Sequence, residues 1–372
     1  YQKPEIEQEH TCSYSYVDNG DGTHDYVCEC GDVQIDNAAH VYDKNVTDKT
    51  CNDCGHVATD RIRAKSGNLL YKDMIKVQIE FEISGTTAQK YGMLVFASAE
   101  DAATLNMELA VQHKELYKNG TYYYGDTDGI SARLMGETMY YVGYADLGNG
   151  VYEYTSAVAY GPRNYAVNML KKSTTSAETR NLISALMHYG AAAQQYAANG
   201  TLAAEELMNY GIEGIVEIPY DEAVLGENLF SVDTTVTNGF RTRSANMLFS
   251  GAITYEIQYS VETALESKEL FMEYTIKGET KSVAMERINT SSGVRYVAKA
   301  DGNAAKDMDE LIVARPYYVG EDGEKVYGAE LRYSGYEYTR RTVSGTSASE
   351  NGKALAKAFA MYVHYADATL GK

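Results

Sequence analysis

From Ile75 onward, apolar residues take every second position: Ile75, Val77, Ile79, Phe81 and Ile83 alternate with Lys76, Gln78, Glu80 and Glu82. Successive side chains on a strand point to opposite faces, so the run predicts a strand with one buried and one wet face. Ile253, Tyr255, Ile257, Tyr259 and Val261 repeat the pattern. Tyr91–Ala97, Met107–Tyr117, Thr138–Ala145 and Val151–Tyr160 continue the strand series, with Gly and Asp at the breaks. Short strands at such spacing predict an antiparallel sandwich. The period then changes: Tyr165–Lys172 and Ala177–Ala198 carry Ala, Leu, Met and Gln at helical spacing, and Gly200 follows as a stop. Lys353–Thr369 plays the same part near the end of the chain.

These stretches are related by duplication. With Asp128-Gly129 set against Asp301-Gly302, the pairs Met135/Met308, Glu137/Glu310, Tyr144/Tyr317, Tyr154/Tyr327, Tyr160/Tyr333 and Tyr165/Tyr338 all fall at one offset. Matching His188-Tyr189 to His364-Tyr365 extends the alignment into the helices, with three residues added to the preceding loop. Apolar residues, tyrosines and turn glycines recur, whereas no cluster of acids, bases or nucleophiles does. A unit copied for its packing pattern is a building block.

Between the copies, Leu202–Asn209 reads as a short helix and Ile215–Ile218 and Thr234–Thr237 as strands. The expected organisation is a Cys/His module over residues 1–65, a first sandwich with helices over 66–212, and a connecting segment with a second sandwich and helix over 213–372. The fold class is mainly β with α: two tandem antiparallel β-sandwich units, each followed by a C-terminal helix, behind a small Cys/His-rich module.

The 372 residues carry a net charge of −19, and no block of Lys or Arg interrupts it. Such a surface repels nucleic acid and anionic membranes, and no apolar run approaches the ~20 residues of a membrane span. Tyrosine is over-represented, at 34 against 7 Phe and no Trp. That composition suits half-buried sheet faces with cross-strand ring pairs; a sugar-stacking platform that includes Tyr122, Tyr123 and Tyr124 is the alternative.

All five cysteines and four of seven histidines precede residue 57: His10, Cys12, His24, Cys28, Cys30, His40, Cys51, Cys54 and His56. Cys28-Glu29-Cys30-Gly31 and Cys51-Asn52-Asp53-Cys54-Gly55 each have the form of a metal knuckle, in which two thiolates face one ion and a glycine lets the chain bend. The first is one residue short of the usual spacing, which a strand permits because side chains two apart share a face. Two ligand sets follow: His24, Cys28, Cys30 and His40 as a local site, or Cys28, Cys30, Cys51 and Cys54 around one zinc. Structural zinc, disulfides and free thiols all remain open, and an odd cysteine count leaves one thiol over in any all-disulfide scheme. Asn19-Gly20-Asp21-Gly22 predicts a hairpin turn between Tyr14–Val17 and His24–Cys28.

The order His10-Thr-Cys12-Ser-Tyr14, Asn19-Gly-Asp-Gly-Thr-His24, Cys28-x-Cys30-Gly31, His40 and Cys51-x-x-Cys54-Gly55 resembles short Cys/His repeats in large secreted and surface proteins of gut Clostridia. Met135-x-Glu-Thr-Met-Tyr-Tyr-Val-x-Tyr144, Asn149-Gly150-x-Tyr152-x-Tyr154 and Leu186-Met-His-Tyr-Gly-Ala-Ala-Ala-Gln194 are similar to another clostridial secreted module. That module combines a fibronectin III-like sandwich with a short helical tail. The resemblance implies a secreted, extracellular or cell-surface setting.

No Gly-x-Ser-x-Gly elbow and no Walker-type loop occurs. His113 reads as an exposed strand residue, His188 and His364 as helix packing residues, and Asp126-x-Asp128-Gly129 as a plain turn. The expected function is therefore non-catalytic: a secreted structural protein that builds a filament, surface layer or cell-surface spacer. Its expected partners are copies of itself, with an adhesin that binds cell-wall or other polysaccharide, or a host ligand, as the rival reading.

Overall fold

The computed structural model describes residues 11–71, 74–249 and 253–370. His10 lies outside them.

The front module is a three-stranded antiparallel sheet of β1 (Tyr14–Asp18), β2 (Thr23–Cys28) and β3 (Val33–Ala39). The Asn19–Gly22 turn joins β1 to β2, with Tyr14 opposite Cys28 and Asp18 opposite His24. The third strand, where Val33 and Ile35 alternate with Gln34 and Asp36, was not among the strands expected from the sequence.

Copy 1 follows as β4 (Arg61–Leu70), β5 (Lys76–Ser84), β6 (Lys90–Phe96), the short helix α1 (Ala99–Ala103), β7 (Gln112–Glu115), β8 (Tyr117–Asn119), β9 (Tyr122–Asp126), β10 (Met139–Gly148), β11 (Val151–Tyr154) and β12 (Val158–Tyr160). One sheet runs β4-β5-β9-β8; the other runs β11-β10-β6-β7, with β12 also on β10. The sheets face each other: a Cβ on Gly143 of β10 would meet Phe81 of β5, and one on Gly125 of β9 would meet Met93 of β6. Val77, Ile79 and Phe81, the alternating residues of β5, are fully buried there. Lettered A to G in chain order, the sheets read ABED and GFCC′, the connectivity of immunoglobulin-type sandwiches. Helices α2 (Pro162–Lys171) and α3 (Ala177–Ala197) follow.

Copy 2 repeats the plan. After the short strand β13 (Ser231–Val232) come β14 (Phe240–Leu248), β15 (Ile253–Val261), β16 (Phe271–Ile276), β17 (Glu279–Ala284), β18 (Glu286–Thr290), β19 (Gly293–Asn303), β20 (Ile312–Val319), β21 (Lys325–Tyr327) and β22 (Leu331–Tyr333), then α4 (Gly335–Ser344) and α5 (Glu350–Leu370). The sheets are β14-β15-β19-β18 and β13-β22-β20-β16-β17, with β21 on β20. Register is kept as well as order. Ile79 faces Gly125 as Ile257 faces Ala298, and Tyr144 faces Tyr154 as Tyr317 faces Tyr327.

The chain groups into two compact bodies. The first holds the front module and most of the copy 1 sandwich. The second holds helices α2 to α5, the connecting segment and the copy 2 sandwich.

Several elements differ from the sequence pattern. The single strand expected over Met107–Tyr117 is a 3-10 turn at Met107–Leu109 and then β7, because the chain leaves one sheet for the other at buried Leu116. Val151–Tyr160 breaks into two strands at Thr155, whose N–H and hydroxyl serve Gly143 of the neighbouring strand. Only a 3-10 turn at Ala204–Glu206 forms in Leu202–Asn209. Ile215–Ile218 is not a strand: the Val216 N–H donates to Ser184 and its carbonyl meets His188, so helix α3 satisfies that backbone. The pairing expected at Thr234–Thr237 occurs earlier, at Ser231–Val232.

The helices also correct their alignment. Ser176 caps α3 by accepting from Thr179 N–H, and Ser349 does the same for Gly352 at the start of α5. The constant offset therefore runs through the helices without inserted residues, making Tyr189 equivalent to Tyr362 and placing His188 and His364 at different positions.

Candidate metal centre

The front module gathers its thiols and imidazoles in three clusters among the described residues: Cys12, Cys28 and Cys30; His24, Cys51 and Cys54; and Asp18, His40 and His56. Neither ligand set drawn from the sequence is assembled. Cys28 stays with Cys30, and Cys51 with Cys54, but the two pairs join different partners. His24 and His40 are neighbours, with ring centroids 5.4 Å apart, yet they belong to separate clusters.

The Cys51–Cys54 turn is built by backbone geometry. Gly55 N–H donates to the Cys51 carbonyl at 3.1 Å and Cys51 N–H to the His56 carbonyl at 2.7 Å, and Gly55 sits at φ +76°, where a side chain is strained. The turn brings Cys51 Sγ to 3.6 Å from Nδ1 of His24 on β2. Ligand atoms about 2.0–2.3 Å from a tetrahedral zinc stand roughly 3.3–3.8 Å from each other, so this spacing fits. The other His24 nitrogen lies 3.9 Å from Asp53, on the side where an orienting carboxylate is commonly found. Burial, the largest influence, pushes the Cys54 thiol up to about 11, and His24 is held below the ordinary imidazole value by burial and by His40. A cation here would have to displace thiol protons.

In the first cluster, Cys12 Sγ is 3.5 Å from Cys30 Sγ. Cys30 lies in a turn closed by Gly31 N–H to the Cys28 carbonyl at 2.8 Å, rather than on the strand expected from its spacing. Hydrogen bonds with Cys28 and Cys30 push the Cys12 thiol up to about 11.

The third cluster joins His40 to residues outside both expected ligand sets. His56 places Nδ1 2.8 Å from Asp18 and Nε2 2.7 Å from Glu153. Desolvation works against its charge, but these two carboxylates hold its pKa above the ordinary value. Glu153 belongs to β11 of the first sandwich and is buried; it also accepts from the Tyr42 hydroxyl at 2.9 Å. Tyr152 N–H donates to the Asp21 carbonyl at 3.0 Å, so backbone and side chains together seat the module on β11. His56 carried a signal, since it follows the second knuckle directly. Glu153 carried none, being nearly a hundred residues away.

Elsewhere, His113 is exposed, and Asp128 pairs with Lys114 at 2.6 Å, as a plain turn predicts. Two hollows do fall at matching places in the copies. One of about 200 Å³ lies beside Arg61–Ala64 and Tyr154–Val158, the other of about 290 Å³ beside Phe240–Ala245 and Ala329. Both are bordered by arginines, Arg61 and Arg63 in the first and Arg241, Arg243 and Arg341 in the second, but His40 and Tyr42 border only the first and Phe230 and Phe240 only the second. Buried Arg61 donates to the carbonyls of Asn45, Asp43 and Asp48. Among the described residues, no helix is long and apolar enough to cross a membrane. Neither a protein-family model nor a curated protein matches the chain.

Proposed function

We propose that this chain is a non-catalytic structural protein of a secreted bacterial assembly, a building block of a filament, surface layer or cell-surface spacer whose copies associate with one another. The supporting observation is that duplication kept strand order, register and helix caps while leaving chemistry free to diverge. The matching hollows share arginines, Arg61 and Arg63 in one copy and Arg241 and Arg243 in the other, but the remaining lining differs, with His40 and Tyr42 beside the first and Phe230 and Phe240 beside the second. In this reading the Cys/His module is zinc-stapled, and the resemblance to clostridial surface modules supplies the extracellular setting. Negative-stain microscopy and light scattering of the zinc-loaded protein test the proposal: oligomers or filaments that grow with concentration support it, and a persistent monomer contradicts it.

A second reading, polysaccharide binding, is favoured by the outer face of β4-β5-β9-β8. There Tyr117 and Tyr124 lie with ring centroids 5.9 Å apart, Lys65 covers Tyr122, and Gln78 and Asp126 bond the Tyr117 hydroxyl. The equivalent residues in copy 2 are Thr290, Val297 and Arg295, so the aromatic face belongs to one copy. Glycan-array binding abolished by Tyr124→Ala would favour this reading.

A further inference from the structure

We propose that Asp18, His40 and His56 form a cation site of their own, distinct from the thiolate clusters, for a divalent first-row transition ion such as zinc, cobalt or nickel. The observation that carries it is His40. Its side chain is completely buried, and neither ring nitrogen has a hydrogen-bond partner. Burying two unspent polar atoms is unfavourable unless something satisfies them.

Both nitrogens point at carboxylates. Nε2 lies 3.5 Å from Asp18 Oδ1 and Nδ1 lies 3.6 Å from Glu153 Oε2. Both separations are long for hydrogen bonds, and the one to Asp18 is right for two atoms sharing one metal ion. The His56 ring stacks on His40 with centroids 4.2 Å apart and planes 15° from parallel, and it meets the same two carboxylates. Each imidazole therefore turns one nitrogen toward Asp18 and the other toward Glu153.

The two carboxylates have different parts. Asp18 ends β1, is held by Gly20 N–H at 2.9 Å and is partly open to solvent, so an ion can enter on its side. Glu153 is buried and anchored by Tyr42. It stands behind the rings, as the carboxylates that orient metal-bound histidines do. Two imidazole nitrogens and one carboxylate oxygen suit borderline transition ions, and they offer too few oxygens for calcium or magnesium. Because Glu153 lies on the sandwich and the three ligands on the front module, the ion would tighten the join between them.

The full chain, stripped by chelation and reloaded with cobalt, tests this. Sulfur-to-cobalt charge-transfer absorption reports the thiolate clusters, and total metal analysis reports every site. His40→Ala is expected to lose one equivalent of cobalt and keep the charge-transfer band. Glu153→Gln is expected to keep the stoichiometry and bind that equivalent about 10–100-fold more weakly. Circular dichroism verifies that each variant is folded, and the Glu153→Gln affinity decides the matter should His40→Ala unfold. The proposal is overturned by unchanged stoichiometry in His40→Ala, by loss of the sulfur band together with that equivalent, or by unchanged affinity in Glu153→Gln.

Discussion

Tyr189 and Tyr362 stack with ring centroids 5.4 Å apart and planes 13° from parallel, and they occupy the same position on the two copies of the terminal helix. Phe359 packs against Tyr189 at 5.7 Å, and both tyrosines are buried. Truncating either ring to alanine should cost about 3–5 kcal/mol. In a double-mutant cycle measured by urea unfolding, the pair should show a coupling of about 0.5–1.5 kcal/mol. Strictly additive losses would show that the stacked geometry contributes nothing beyond burial.

Gly22 fixes how the front module meets the first sandwich. It sits at φ +100°, and a Cβ there would stand 1.4 Å from the Tyr152 carbonyl oxygen, a backbone atom that cannot swing aside. Gly22→Ala is therefore expected to release the module without unfolding the sandwich, by straining the turn and breaking the Asp21–Tyr152 contact together. Limited proteolysis reads this as new cleavage between residues 18 and 56 with the remainder protected. Wild-type protease resistance in the variant would contradict it.

The alternating strands were legible because burial on one sheet face imposes a two-residue period that local residues alone must satisfy. Ile253–Val261 matches β15 residue for residue on that ground. Met107–Tyr117 was not legible as a crossing, because a chain passing between two sheets keeps apolar residues on both sides of the passage. In the helices, a shared His-Tyr pair suggested one alignment, but burial chose another: Leu182, Leu186 and Tyr189 occupy the places of Leu355, Phe359 and Tyr362. For the candidate metal centre, the sequence supplied the candidate donors but not their grouping. Grouping depends on how hairpin and knuckle fold against each other, and on Glu153, which arrives from a distant strand.

Asp60 gives the first sandwich an acid-sensitive joint. Its side chain is fully buried and accepts from Thr87 N–H at 2.9 Å, from the Thr87 hydroxyl and from the Tyr91 hydroxyl at 2.8 Å. Burial pushes its pKa up, but these hydrogen bonds outweigh that and hold it below the ordinary 3.8. A carboxyl with a depressed folded value contributes stability above its unfolded value and loses it as pH falls through the folded one. Asp60→Asn should therefore cost about 1–3 kcal/mol near pH 7, with the gap to wild type narrowing below about pH 4. Urea unfolding at pH 7 and pH 3 measures it; an equal gap at both would show that the charge plays no part.

On the proposed reading of the front module as zinc-stapled, chelation should loosen that module and spare the sandwiches. Cys51 and Cys54 cap a short turn whose own backbone hydrogen bonds are few, whereas each sandwich buries an alternating apolar face of its own. In small modules, metal affinity is in large part folding free energy, so the module's stability should follow metal occupancy. Chelation, or Cys51→Ser together with Cys54→Ser, is then expected to raise amide hydrogen exchange across residues 14–56 and leave β5, β10, β15 and β20 protected. The double variant should also gain nothing from added zinc in that exchange profile beyond what the remaining clusters supply. Protection of the module unchanged by chelation and by both substitutions would show that hydrogen bonding to β11 alone holds it, and that the thiols bind no structural ion.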